Sequence, residues 1–105
     1  MVDLATDHNQ LGLIYTNAGD LERALEHFNQ AAKFFEAAGD LYHAGFTRFN
    51  LAIMFAASGR TSDALLYARA ALRNFEPYGP GAAEDVERTK GLIGEIEQLI
   101  EKSKK

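Results

Sequence analysis

The sequence contains no cysteine. That excludes a disulfide framework and a thiolate metal site. It has no excess of positive charge either, since 11 lysines and arginines face 15 aspartates and glutamates, for a net charge of −4. Such a balance argues against nucleic acid or an anionic membrane as the main partner. No apolar run approaches the roughly 20 residues that a membrane-spanning helix needs. The opening segment MVDLATDHNQ lacks a basic stretch followed by an apolar core, so it does not read as a signal peptide. The expectation is a soluble, intracellular, cytoplasmic protein.

Catalytic patterns are absent as well. Of His8, His27 and His43, no two stand four residues apart, the spacing that pairs metal ligands on one helix face. His8 lies between Asp7 and Asn9, but sequence neighbours on a helix point in different directions. Each histidine therefore reads as a packing or surface residue. Glu22 and Glu26 share a helix face and read as solvated. The segment YGPGAA, Tyr78 to Ala83, precedes a helix but lacks the lysine and spacing of a phosphate loop, so it reads as a turn. No catalytic residue, cofactor or metal is expected, and the chain is not expected to be an enzyme.

What the sequence does contain is a ruler of glycines. Gly19, Gly39, Gly59 and Gly79 stand 20 residues apart. Glycine suits the left-handed residue just past a helix end because it has no Cβ to clash. Asp20 and Asp40 follow the first two and predict N-caps. Arg60 follows the third, which predicts that capping passes to Thr61 or Ser62. Pro80 follows the fourth, and its fixed φ suits a helix start. Each unit of 20 then comprises one helix and one turn. With 105 residues the chain reads as one domain by length.

Between the glycines the apolar residues recur at helical intervals. Leu4, His8, Leu11, Tyr15 and Ala18 make one stripe. Leu21, Leu25, Phe28, Ala32 and Phe35 make the next. Leu41, Gly45, Arg48, Ala52 and Phe55 follow, then Ala64, Ala68, Ala71 and Phe75. Alternating strand patterns do not occur. The pattern predicts helices over 3–18, 21–37, 40–57, 61–76 and 81–102, with short turns that force neighbours antiparallel. Two helices form the true unit, because a shift of 40 residues places Leu11 on Leu51, Gly12 on Ala52, Tyr15 on Phe55, Ala24 on Ala64 and Ala31 on Ala71. Phe28 falls on Ala68 and breaks the match.

These residues resemble the tetratricopeptide repeat, whose signature runs from a large aromatic through Leu-Gly, Tyr and Ala-x-x-x-Phe to Pro. Leu11-Gly12, Tyr15, Ala24 and Phe28 carry it in the first unit, with His8 at the tryptophan position and Glu36 at the proline. Leu51-Ala52, Phe55 and Ala64 carry it in the second, with Arg48 at the tryptophan position. The period of about 40 looks like the longer class found in kinesin light chains and bacterial signalling proteins. The resemblance implies an all-α fold of antiparallel helix-turn-helix repeats, stacked as a short right-handed solenoid within one domain, 1–105. Repeat 1 covers about 3–38, repeat 2 about 40–76, and a closing helix about 81–102. Gly12 and Ala52 are expected to admit the partner helix closely through Ala24 and Ala64. Gly91 and Gly94 each cost about 1 kcal/mol within a helix, and a close approach to the second repeat is expected to offset that.

The resemblance also implies a concave groove, lined by the first helix of each pair, that binds a peptide or helix of a partner protein. Mapped onto this chain, the groove takes Asn9, Leu13 and Asn17 from the first helix, and Phe46, Phe49, Asn50, Ile53 and Ala57 from the third. Phe46, Phe49, Ile53 and Ala57 form a second stripe on a helix that already has one. Two readings follow: an apolar groove for a partner helix, or a central helix buried on all sides. Asn50 offers donors and an acceptor suited to a peptide backbone. A subset of the family clamps a C-terminal carboxylate with lysine, asparagine and arginine. Here Asn9 and Leu13 hold the expected lysine and asparagine positions, so the clamp is rejected, although Lys90 offers one late cation.

An alternative role is structural. Two repeats and a closing helix fall short of the three repeats usual for stability. That suggests an excised or terminal part of a longer solenoid, such as the sensor arm of a signalling regulator. Its upstream face, with Ile14 and Phe34, would then lack a neighbour and favour a homo-oligomer. Charge is uneven in a way that suits head-to-tail contact: residues 1–40 carry a net −5 and residues 41–76 a net +2. Solvated helix faces account for the same distribution.

Overall fold

Three of the four glycines close a helix in the same way. Gly19, Gly39 and Gly59 adopt φ of 79°, 79° and 80°, where an L side chain would be strained. At the first turn the Gly19 amide donates to the Thr16 carbonyl (3.1 Å) and the Asp20 amide to the Tyr15 carbonyl (2.9 Å). The same pair of bonds recurs at Gly39–Asp40 and Gly59–Arg60. Each turn is thus a Schellman motif that satisfies the last carbonyls of one helix and points the chain into the next.

A computed structural model describes residues 3–104. Five α-helices follow one another: α1 Leu4–Asn17, α2 Leu21–Ala37, α3 Leu41–Ala57, α4 Thr61–Phe75 and α5 Ala83–Ser103. A 3-10 segment, Glu76–Ala82, joins α4 to α5. Asp3, Asp20 and Asp40 cap α1, α2 and α3, their carboxylates accepting from the amides of Thr6, Arg23 and His43. At Asp3 the Thr6 hydroxyl, then the Thr6 amide, hold the carboxyl below the usual carboxylate range. The fourth cap differs from expectation. Arg60, not Thr61 or Ser62, occupies the N-cap of α4 and supplies no capping bond. Its guanidinium instead meets Asp63 at 3.1 Å and lies over the Phe55 ring at 4.6 Å. Gly79 does take a left-handed φ of 56°, but inside the 3-10 segment, and Pro80 lies there too rather than at the start of α5.

The helices pack in sequence order: α1 on α2, α2 on α3, α3 on α4, and α4 on α5. This is the expected all-α succession of helix-turn-helix pairs. The core is built largely of alanine, with Ala24, Ala52, Ala64 and Ala68 enclosing Leu25, Phe28, Leu51, Phe55 and Ile96. A second cluster joins Ala71, Phe75 and Ala82 beneath the 3-10 segment. Short side chains let the helix axes approach, and each fully buried large residue such as Phe75 contributes about 1.5–3 kcal/mol. Around Phe75, the Tyr42 ring packs edge-on, its backbone amide donates to the Tyr78 hydroxyl (2.9 Å), and its own hydroxyl donates to Asp85 (3.0 Å). That bond, then burial, pushes the Tyr42 phenol above its usual range, while Arg88 opposes the shift.

Gly12 admits α2 closely, and a Cβ there would meet the Phe28 ring at 2.8 Å. Two other packing expectations need correction. On α5, a Cβ added at Gly91 or Gly94 would meet nothing within 4 Å, so no close approach offsets these glycines. On α1 the inward side is Ala5 and Gly12, with His8 and Tyr15 half-buried, while Leu4 and Leu11 of the expected stripe are exposed. Among the described residues no helix is long and apolar enough to cross a membrane. The whole measures 51 × 36 × 17 Å, an elongated slab.

Candidate partner-binding groove

The second stripe of α3 is open. Phe46 is 45% exposed and Ile53 44%, and Phe49, one turn from each, is half-buried. The helix still has a buried side, through Ala44, Thr47, Leu51, Ala52 and Phe55. It is therefore central without being enclosed, because its two stripes lie on different faces.

The ridge faces α5. Phe49, Ile53 and Ala56 from α3 and Arg88, Gly91, Leu92 and Glu95 from α5 surround a recess of about 430 Å³. A narrower cleft continues from it, where Phe46 and Phe49 meet Phe75, Asp85, Arg88 and Thr89. The floor is aromatic and aliphatic. Arg88 stands at the junction of the two, and Glu95 marks the far end of the recess. Gly91 leaves its wall without a side chain, so a bound backbone can lie close to α5 there.

The residues of α1 lie elsewhere. Leu13 is 52% exposed, Asn17 is exposed and Asn9 is half-buried, but none of the three borders the recess between α3 and α5. The repeats join through α2 against α3. Of the expected groove residues, Phe49 and Ile53 share the recess and Phe46 and Phe49 share the cleft. Asn50 is half-buried on the same helix and Ala57 is exposed at its end.

The wall on α5 is what the sequence reading missed. A closing helix over 81–102 covers the last repeat but implies no groove wall. A further shift of 40 carries Arg48 onto Arg88 and Ile53 onto Ile93 while placing Leu51 on Gly91 and Phe55 on Glu95, so the repeat pattern itself gives little sign of it.

The other polar constellations are structural bridges. Arg48, in the tryptophan position, reaches α4 through the Asn74 side-chain carbonyl (2.8 Å) and α2 through Glu36. It thereby ties the two repeats. His43 meets Asp40 at 2.7 Å at the start of α3. His8 and His27, distant in sequence, meet across α1 and α2 with their Nδ1 atoms 2.9 Å apart.

A search among curated proteins finds no significant match to the chain. A family model described as the tetratricopeptide repeat matches residues 3–76, the span that holds α1 to α4 and their Schellman turns. The chain belongs to the tetratricopeptide repeat family.

Proposed function

We propose that the chain is a protein-interaction module that holds a peptide or helix of a partner protein along the ridge of α3. The observation that carries this reading is the open stripe Phe46–Phe49–Ile53 beside the α5 recess. Exposed aromatic and aliphatic side chains at helical spacing cost solubility, and a partner's apolar face repays that cost. Tetratricopeptide repeats are protein-interaction modules, typically scaffolds without catalytic activity. The partner segment presents apolar side chains at i, i+3 and i+7, with an acidic residue placed toward Arg88. Asn50 supplies amide donors and an acceptor to its backbone. Asn9, Leu13 and Asn17 extend the contact onto α1 when the partner segment is long.

The test is a peptide array or pull-down with wild type, Phe49→Ala and Ile53→Glu. Both variants lose about tenfold or more in affinity, the loss expected of a central apolar anchor. Ile53→Glu keeps its melting temperature, because the side chain already meets solvent. Unchanged affinity in Ile53→Glu, or in Phe49→Ala with a large drop in melting temperature, would overturn the reading.

A second reading concerns the outer face of α1. Leu11 is 37% exposed, whereas Leu51, its equivalent one repeat later, is 1% exposed beneath α2. Ile14 beside it is 60% exposed. This face suits self-association of two copies, or stacking on another helix pair of a longer solenoid.

A further inference from the structure

His8 on α1 and His27 on α2 do more than touch. Their Nδ1 atoms are 2.9 Å apart, and the two rings meet edge to edge, with centroids 5.2 Å apart and planes 26° from parallel. On its other side His8 stacks on Phe34, at 5.5 Å and 12°. His27 stacks on Tyr15, at 5.3 Å and 6°. The Arg23 guanidinium covers the far side of Tyr15 at 5.7 Å. Four rings and one cation thus form a column across the seam between α1 and α2, with both histidines half-buried.

The bond limits the protons this column can hold. A neutral imidazole has one N–H and one bare nitrogen. A bond between two Nδ1 atoms needs one of them protonated and the other bare. A first added proton goes to the bare Nε2 of the donor ring, which keeps the bond and makes it charge-assisted. A second has only the accepting Nδ1 to go to. Two N–H donors then oppose each other, and two like charges stand side by side.

The surroundings give that second charge no relief. Arg23 adds a further positive charge at the end of the column, although Asp20 pairs with it at 3.4 Å. Glu22 pairs with Arg60, Glu36 with Arg48 and Asp40 with His43. Among the described residues, Asp7 on α1 and Glu26 on α2 form no ion pair with either ring, and Lys33, the other base on α2, is exposed. From α3, the charges that face α2 are Arg48 and His43, both taken by carboxylates.

The helix held by this column buries little: α1 packs on α2, its fully buried residues are Ala5 and Gly12, and Leu4, Leu11 and Ile14 on its outer face are exposed. Terminal helices with few buried contacts open at low cost.

We propose that the His8–His27 pair is a proton-operated latch on the first repeat. Neutral or singly protonated, it docks α1 on α2. Doubly protonated, it releases α1 and uncovers Phe28, while α3, α4 and α5 stay packed. The sign follows from linkage. In the released segment each ring has a free nitrogen for a proton, whereas in the docked pair the second proton has only the Nδ1 already used by the bond. The released state binds more protons in acid, so docking is complete above the range over which histidines charge and is lost as the pH falls below it.

The test is amide hydrogen exchange on the full chain at about pH 7.5 and about pH 5, the interval over which histidines charge, expressed as protection factors so that the intrinsic rate cancels. In wild type, α1 protection falls about tenfold or more relative to α4. In His8→Phe, which keeps a ring on Phe34 but removes the proton site, that relative fall disappears. An equal fall in α1 and α4, or the same step in His8→Phe, would overturn the latch. Should His8→Phe not fold, nitrogen chemical shifts of the wild-type rings decide. Two separate protonation steps, the second coincident with loss of α1 protection, support the latch. Two rings that protonate independently of each other, with no change in α1 protection, overturn it.

Discussion

At the scale of the residue, Gly12 and Phe28 are a single volume shared by two positions. A Cβ on Gly12 would enter the Phe28 ring, so the glycine is set by the phenylalanine. The second repeat divides the same space differently, with Ala52 opposite Ala68. That is why Phe28 breaks the 40-residue match without disturbing the fold. Gly12→Ala alone overpacks the seam and costs about 1–3 kcal/mol. In a Phe28→Ala background the clash is gone, and the same substitution gains about 1 kcal/mol, the ordinary preference of a helix for alanine over glycine. Urea denaturation of the two single variants and the double variant measures this reversal of sign. Additive costs would mean that the two positions do not share their space. Arg48 is the polar counterpart. Removing it with Arg48→Ala leaves the buried Asn74 carbonyl without its partner, a loss of about 1–3 kcal/mol. The exposed Glu36 end of the bridge adds little to that. Glu36→Gln is therefore nearly neutral by thermal melting, and Arg48→Ala is not.

At the scale of the element, α5 carries two glycines with no packing reason for either. Gly91→Ala and Gly94→Ala each raise stability by up to about 1 kcal/mol, which for a chain of this size is about 4–8 °C in melting temperature. Only Gly91 borders the groove, so only Gly91→Ala also weakens partner binding. A Gly91→Ala variant that is more stable and binds as well as wild type would remove α5 from the site. The two glycines show where the sequence is legible and where it is not. The turns at Gly19, Gly39 and Gly59 could be read from the chain because a left-handed φ, joined at the first two by an aspartate cap, is decided within five residues. The ends of α2 could be read to the residue for the same reason. What lies opposite Gly91, by contrast, depends on how far α5 stands from α3, which no local rule sets. The same holds for His8 and His27, which meet only because α1 and α2 turn particular faces to each other. Arg60 went unread at the N-cap because arginine has no side-chain acceptor to cap with; its guanidinium meets Asp63 and the Phe55 ring instead.

At the scale of the whole molecule, the repeat supplies its own control for the face that the solenoid leaves open. Shifting the outer face of α1 by 40 residues carries Leu4 onto Ala44, Asp7 onto Thr47, Leu11 onto Leu51 and Ile14 onto Met54. In the second repeat Ala44, Thr47 and Leu51 are buried and Met54 is half-buried, whereas all four of their counterparts on α1 are exposed. The difference is one of neighbours, since α2 covers α3, whereas among the described residues this outer face of α1 is left exposed. Self-association through this face predicts a mass that rises with concentration in sedimentation experiments. Ile14→Glu returns the chain to monomer, because a carboxylate cannot be buried there without a partner. Its monomer stability stays within about 0.5 kcal/mol of wild type, as for other exposed positions. Ile53→Glu, in the groove, leaves the mass unchanged, which separates the end face from the ridge of α3. The same self-association predicts an effect of Asp7: α1 carries this one acid and no lysine or arginine, so two copies repel there, and Asp7→Asn strengthens association while raising salt strengthens it in wild type. A chain that remains monomeric from micromolar to millimolar concentration would rule out the self-association and leave the ridge of α3 as the surface through which this solenoid meets its partner.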